Sequence, residues 1–324
     1  MTPLRFEQLY QAEWTELEAL LEDVRRGTRA AGATASGARA ATLYRCACEH
    51  LALARARAYP AYIIDRLERM TSAAHQLIYH QREFGVARLG RLVAVDFPLA
   101  VRAHRWYVAV ATALFVVPTI VIGLLVYSRP ELILSIVDSD TAAEFERMYS
   151  SSAQSIGRMR TASTDWMMFG YYIRNNISVA FQCFAGGLFA GVGSIFFLAV
   201  NGAFGGALAG YLTERGLSNT FFSFVATHAA FELTAIVLAG AAGMRIGHAL
   251  LAPGRLTRPQ ALILASREVV IILYGVTALL VVAAGIEAFW SSASWLEPTL
   301  KYGVASLCWA AVFGYLIFQG RRAD

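Results

Sequence analysis

The chain has 324 residues, of which 57% are hydrophobic and only 16% are charged, and its mean hydropathy is +0.48. This composition excludes an ordinary soluble globular protein and predicts a polytopic membrane protein. The net charge of +5 does not indicate a nucleic-acid partner, because Lys and Arg gather at the ends of apolar runs, as membrane orientation requires.

Residues 1–96 are predicted to form a cytosolic helical domain. Apolar residues recur at steps of three and four over residues 6–24, and further helices are expected at 39–59 and 61–82, with a loop at 26–37. No nucleotide-binding loop or catalytic motif occurs in this stretch of sequence, so we expect a scaffold or docking module.

Residues 97–105 are predicted to form an interfacial segment on the cytosolic leaflet. Arginines alternate with apolar residues from about residue 88 onwards, and Pro98 is expected to break the helix. The transmembrane domain follows at 106–320.

The sequence predicts an all-α polytopic membrane helix bundle with about six membrane segments. A polar stretch, 128–166, is expected to be an extracytoplasmic segment, helical over 141–155. The third apolar run is too short to cross a bilayer and contains several glycines, which predicts a discontinuous or re-entrant helix. The membrane segments are expected at 106–127, 177–200, 202–212, 220–250, 269–289 and 302–318.

The basic residues that flank the apolar runs predict the orientation. Arg102 and Arg105, the loop 255–267 and Arg321 all belong on the cytosolic side, which places both termini in the cytosol.

A buried polar cluster is the candidate binding site. His228 and Glu232 lie four residues apart and share one helix face, with Glu232 near mid-membrane. The expected partners of Glu232 are His228 and Arg245, besides the amides of the other members. The predicted cluster consists of Asn175, Asn176, Asn201, His228 and Glu232.

Three interpretations of His228 and Glu232 remain open: a transport site, a structural clasp, or a metal site. We expect no metal, no cofactor and no catalytic residue, because the two side chains supply only two ligands and no third is evident. Glu287 is expected to be solvated near the outer end of the fifth segment. Four arginines are candidate contacts for an anion or a lipid headgroup: Arg174, Arg245, Arg255 and Arg258.

Glycines spaced by four residues predict close helix packing. They occur at Gly187 and Gly191, and again at Gly202, Gly206 and Gly210. The Asn201-Gly202 pair is also a candidate helix break, whose free peptide groups would hold an ion or a headgroup.

Six motifs occur in one order over residues 170–290: Arg174-Asn175-Asn176-Ile177, Phe184-Ala185-Gly186-Gly187, Asn201-Gly202, His228-x-x-x-Glu232, the run Ala239 to Gly243, and Pro253-Gly254-Arg255-x-Thr257-Arg258. In these motifs the chain resembles the stage II sporulation protein M (SpoIIM) family of bacterial membrane proteins. The resemblance implies a multi-pass protein of the bacterial cytoplasmic (inner) membrane. It also implies partners in envelope or peptidoglycan remodelling and, for the longer members, MoxR-type ATPases.

We rank three functions. The first is a non-enzymatic membrane protein that organises a cell-envelope complex through membrane or cytosolic partners. The second is a transporter or channel for an ion, a proton or an anionic lipid-like substrate, using Glu232 and His228. The third is an intramembrane metal-dependent hydrolase. The lipid bilayer is the expected surroundings, and the small-residue faces predict a homodimer.

Overall fold

The regular elements of the described residues are all helical, which confirms the expected all-α class. This computed structural model describes residues 1–25, 33–80, 86–150, 165–293 and 295–321. Contacts divide the chain into two units, Met1–Leu89 and Gly90–Asp324.

Three helices form the first unit: α1 (Pro3–Arg25), α2 (Ala33–Ala56) and α3 (Ala61–His80). They bury one shared apolar core, which includes Phe6, Trp14 and Leu67. The loop expected at 26–37 is wrong from Ala33 onwards, because its alanines favour the helix that becomes α2. Residues 26–32 and the end of the third predicted helix, 81–82, lie outside the described residues.

Pro98 does not break the segment that precedes the bundle. After α4 (Val86–Arg91), a π-helical turn, Leu92–Asp96, runs directly into α5 (Phe97–Ala103). Pro98 lies in the first turn of α5, where a missing backbone N–H is tolerated. The helix direction changes instead at His104, whose φ is −101° and ψ is 22°.

Five helices in the described ranges are long and apolar enough to cross a membrane. They are α6 (Arg105–Ser128), α9 (Val192–Glu214), α10 (Ser218–Leu251), α11 (Arg258–Gly285) with its π-helical continuation Ile286–Ser291, and α12 (Pro298–Phe318). The first, fourth and sixth predicted segments agree with α6, α10 and α12, whereas α11 begins about ten residues earlier than expected.

The helix break expected at Asn201-Gly202 is found instead between Gly186 and Gly191, near the middle of the second predicted segment. α8 (Asp165–Ala185) ends at a 3₁₀ turn, Gly186–Leu188, and α9 starts at Val192, so the expected segments 177–200 and 202–212 are wrong. Gly191 has a φ of 85°, which favours glycine. A Cβ at Gly187 would lie 2.1 Å from the carbonyl oxygen of Gly243, so the turn also needs glycine for its close approach to α10.

The Gly202, Gly206 and Gly210 face packs α9 against α6, as the spacing predicts. A Cβ on each glycine would lie 2.2 Å from the carbonyl oxygens of Phe115, Thr119 and Gly123, respectively. The contacts advance by four residues along both helices, so α6 and α9 run parallel. Both helices therefore begin at the same face of the bundle.

We call this side the entry face; it holds the start of α6 and the end of α10, which meet where Tyr107 hydrogen-bonds His248. The opposite side, with the ends of α6 and α9 and the start of α10, is the exit face.

Between α6 and α9 the chain returns to the entry face through α8. Met168 near the start of α8 packs with Ala288, and the carbonyl of Cys183 near its end lies against Gly243. The 21 residues of α8 extend about 31 Å, so α8 is long enough to join the two faces as a sixth, less apolar helix of the bundle.

A short helix, α7 (Ser139–Tyr149), follows α6 at the exit face. The Asp138 carboxylate accepts a hydrogen bond from the backbone N–H of Thr141 at 2.8 Å and caps the helix. Tyr149 packs edge-on against Phe221 and Phe224 of α10. The helix expected at 141–155 is thus present to Tyr149, and residues 151–164 lie outside the described residues.

Candidate functional site

Helix α10 places His228 and Glu232 one turn apart inside the bundle. The His228 side chain is 6% exposed and the Glu232 side chain 20% exposed. Nε2 of His228 lies 3.9 Å from Oε2 of Glu232, which is too far for a hydrogen bond. The shared face predicted from the spacing is therefore observed, but the two side chains do not clasp each other directly.

Glu287 joins these two residues from the end of α11. One ligand atom from each of His228, Glu232 and Glu287 lies within 4.8 Å of the other two. Glu287 is only 9% exposed, so the expectation that it is solvated is wrong. Glu287 and Ser291 are four residues apart in the helical turn Ile286–Ser291 and share the face that packs on α10, where Ser291 lies 2.9 Å from His228.

Ser291 and Lys301 complete what we call the polar cluster: His228, Glu232, Glu287, Ser291 and Lys301. Nδ1 of His228 and Oγ of Ser291 are 2.9 Å apart. The ammonium of Lys301, which is fully buried, donates to the backbone carbonyl of Ser291 at 2.8 Å. One cation and two carboxyl groups are thus gathered by α10, α11 and α12.

The polar cluster lies beside the first half of α10, at the level where the continuation of α11 ends and α12 begins. At about 1.5 Å per residue, His228 is about 15 Å and Glu232 about 21 Å along α10 from its first residue, Ser218. Ionisable groups buried inside a membrane bundle are costly and face inward towards partners.

The predicted asparagines are not joined to Glu232 by hydrogen bonds among the described residues. Asn201 lies inside the continuous α9, and its Nδ2 donates to the carbonyl of Phe197 on its own helix at 2.7 Å. The candidate break at Asn201-Gly202, with its free peptide groups, is therefore wrong. Asn175 is exposed and donates to the Oδ1 of buried Asn176 at 3.3 Å.

Arg245 pairs with Glu268 rather than with Glu232. Its guanidinium lies 2.8 Å from the Glu268 carboxylate, and His104 approaches the same carboxylate at 3.6 Å. Arg245 is 13 residues, or about 20 Å, further along α10 than Glu232. This entry-face network joins α10, α11 and the start of α6.

The other candidate anion contacts lie apart from the polar cluster. Arg174 and Arg255 are exposed, and Nε of Arg258 donates to the carbonyl of Leu250 at 3.3 Å. Their role with an anion or a headgroup stays a prediction.

Sequence reasoning does not predict that Glu287, Ser291 and Lys301 belong to the cluster around His228. Two features of the sequence point to these residues. Glu287 and Ser291 are four residues apart and so share a helix face, and Lys301 is a charged residue in the first turn of an apolar helix. Their meeting with His228 depends on how α10, α11 and α12 pack, which sequence spacing does not give.

These features define the class: an all-α, multi-pass membrane protein whose helix bundle encloses a cluster of ionisable side chains. Residues 111–292 match the family model of stage II sporulation protein M, SpoIIM. This is more than half of the chain, and the protein belongs to the SpoIIM family. Residues 4–80 match the model of a domain of unknown function, DUF8413. Searches of curated proteins and of solved structures give no match.

Proposed function

We propose that this protein organises a cell-envelope complex, with the bundle as the membrane anchor and the first unit as the docking module. The observation that carries the proposal is the division into two units, of which Met1–Leu89 has a hydrophobic core of its own. A unit that folds around its own core is suited to bind a partner outside the lipid. The family resemblance implies the partner class: envelope or peptidoglycan-remodelling proteins, or a MoxR-type ATPase.

We further propose that the entry face is the cytosolic face of the bacterial inner membrane, with both termini in the cytosol. Arg102, Arg105, Arg255 and Arg258 belong to this face, whereas α7 at the exit face carries Asp140, Glu144 and Glu146. Basic residues near membrane segments favour the cytosolic side. A thiol reagent that does not cross membranes should label Asn219→Cys, but not Leu256→Cys, from outside the cell.

The organising role is tested by co-purification from the native membrane. Proteins cross-linked to the full-length chain are compared with those cross-linked to a chain lacking residues 1–80. We expect the deletion to remove specific partners, while the double variant His228→Ala, Glu232→Gln retains them. Membrane insertion of the truncated chain is the control. An unchanged set of partners after the deletion would contradict the docking role.

A second candidate is transport of a proton or an ion, and the depth of Glu232 and His228 favours it. A protonatable pair inside a bundle is the kind of group that relays protons in pumps and transporters. Liposomes that contain the purified protein would then dissipate an imposed pH gradient, and Glu232→Gln would abolish the flux. A flux that equals that of protein-free liposomes removes this candidate.

A further inference from the structure

We propose that His228, Glu232 and Glu287 bind one divalent transition-metal ion inside the bundle. The sequence offered two ligands on α10 and no third, and the fold supplies the third from α11. The candidate ligand atoms of the three side chains lie within 4.8 Å of one another. Three protein ligands are the usual number in a site that keeps a coordination position for water.

The spacing of the ligand atoms fits a shared ion better than a direct contact. A hydrogen bond would bring Nε2 of His228 and Oε2 of Glu232 to about 3 Å, whereas they are 3.9 Å apart. Two ligands of a tetrahedral Zn²⁺, each at about 2.1 Å from the metal, stand about 3.4 Å apart. Side-chain rotations that shorten separations of up to 4.8 Å to about 3.4 Å would place all three groups in coordination distance of one ion.

Ser291 orients the histidine for this role. Nδ1 of His228 and Oγ of Ser291 are 2.9 Å apart, and the tautomer in which Nδ1–H donates to Ser291 leaves the lone pair on Nε2, the nitrogen that lies near Glu232. Metal-binding histidines commonly donate their other ring N–H to such an outer partner, which fixes the ring and its tautomer. Ser291 is thus a positioning residue and not a ligand.

The charges of the polar cluster also fit a divalent ion. At their ordinary charges, the carboxylates of Glu232 and Glu287 and the ammonium of Lys301 sum to one negative charge, which is costly so deep in the bundle. A divalent ion that carries one hydroxide adds one positive charge and makes the cluster neutral. The competing arrangement is a single proton on the carboxyl pair, with no metal.

The ligand set indicates the kind of metal. One imidazole and two carboxylates suit Zn²⁺, Mn²⁺ or Fe²⁺. Ca²⁺ takes six to eight oxygen ligands, and Cu⁺ prefers thiolates and thioethers. We therefore expect a first-row transition metal, with Zn²⁺ as the first choice.

The test is the metal content of the full-length protein, purified from membranes without chelators and measured by mass spectrometry of the elements. We expect about one transition-metal ion per chain, and less than a tenth of that in His228→Ala and in Glu287→Gln. The matched control is Glu268→Gln, which also removes a carboxylate from α11 but leaves the metal in place. Size-exclusion chromatography and circular dichroism establish that each variant is folded.

A titration gives a second readout for protein that has lost its metal during purification. Wild-type protein, stripped with a chelator, should bind one Zn²⁺ per chain, and Ser291→Ala should bind it about 10- to 100-fold more weakly. Absence of saturable Zn²⁺ binding, or equal binding by wild type and Glu287→Gln, means an adventitious ion only and overturns the proposal. The organising role does not depend on this result, because it is tested by partner binding.

Discussion

Within the first unit, His50 is held in one protonation state by its neighbours. The indole N–H of Trp14 donates to Nδ1 of His50 at 3.1 Å, and Phe6 and Tyr10 lie against the imidazole ring. Because indole is only a donor, Nδ1 must be unprotonated here. Burial lowers the pKa of His50, and the charges of Glu13 and Glu49 oppose this shift in part.

We predict that acid weakens the first unit through His50. The unfolded chain takes up a proton below its ordinary pKa of about 6.5, whereas the folded unit resists it, so stability is fully present above that pH and falls as the pH drops below it. Hydrogen exchange of residues 1–80 in the full-length protein should therefore be faster at pH 5 than at pH 7, after correction for the intrinsic rate.

His50→Gln is the matched control, because glutamine accepts from Trp14 but does not titrate. Its exchange should depend less on pH than that of the wild type. Equal pH dependence in both proteins would show that His50 does not carry the effect.

At the scale of the helices, glycine has two roles that the sequence does not separate. Gly191 makes a turn, whereas Gly206 lies in mid-helix and lets α6 approach α9. Both kinds of glycine occur in the same apolar stretch, so the sequence alone does not distinguish a break at Gly191 from one at Asn201-Gly202. Neighbouring backbones decide the role, and they belong to helices far away in the sequence.

Gly205 and Gly206 allow a matched test of this packing. A Cβ at Gly206 would lie 2.2 Å from the carbonyl oxygen of Thr119, whereas a Cβ at Gly205 would meet nothing within 4 Å. We expect Gly206→Ala to destabilise the bundle by about 1–3 kcal/mol, as overpacking does. Gly205→Ala should stabilise α9 by up to about 1 kcal/mol, since alanine favours helix.

The measurement is thermal unfolding of each full-length variant in the same detergent. Equal transition temperatures for the two variants would contradict the close packing of α6 against α9 at Gly206.

For the whole molecule, the sequence predicted what depends on local pattern, and the structure adds what depends on packing. The lengths of α6, α10 and α12 and the shared face of His228 and Glu232 follow from apolar runs and helical spacing. The inward position of Glu287 does not, because it depends on how the end of α11 packs against α10, a helix distant in the sequence. The full length of α8 is also hard to predict from the sequence, because polar residues in its first half lower the hydropathy of that stretch.

The central claim is that α10 and the end of α11 enclose one polar cluster inside the helix bundle. Its most direct test is cross-linking in membranes of paired cysteines by a short bifunctional thiol reagent, after the four native cysteines are replaced by alanine. The pair His228→Cys with Ser291→Cys should cross-link within one chain. The pair His228→Cys with Phe289→Cys should not, because Phe289 is 46% exposed on another side of the same turn. Cross-linking of the control pair alone, or of neither pair, would contradict the account.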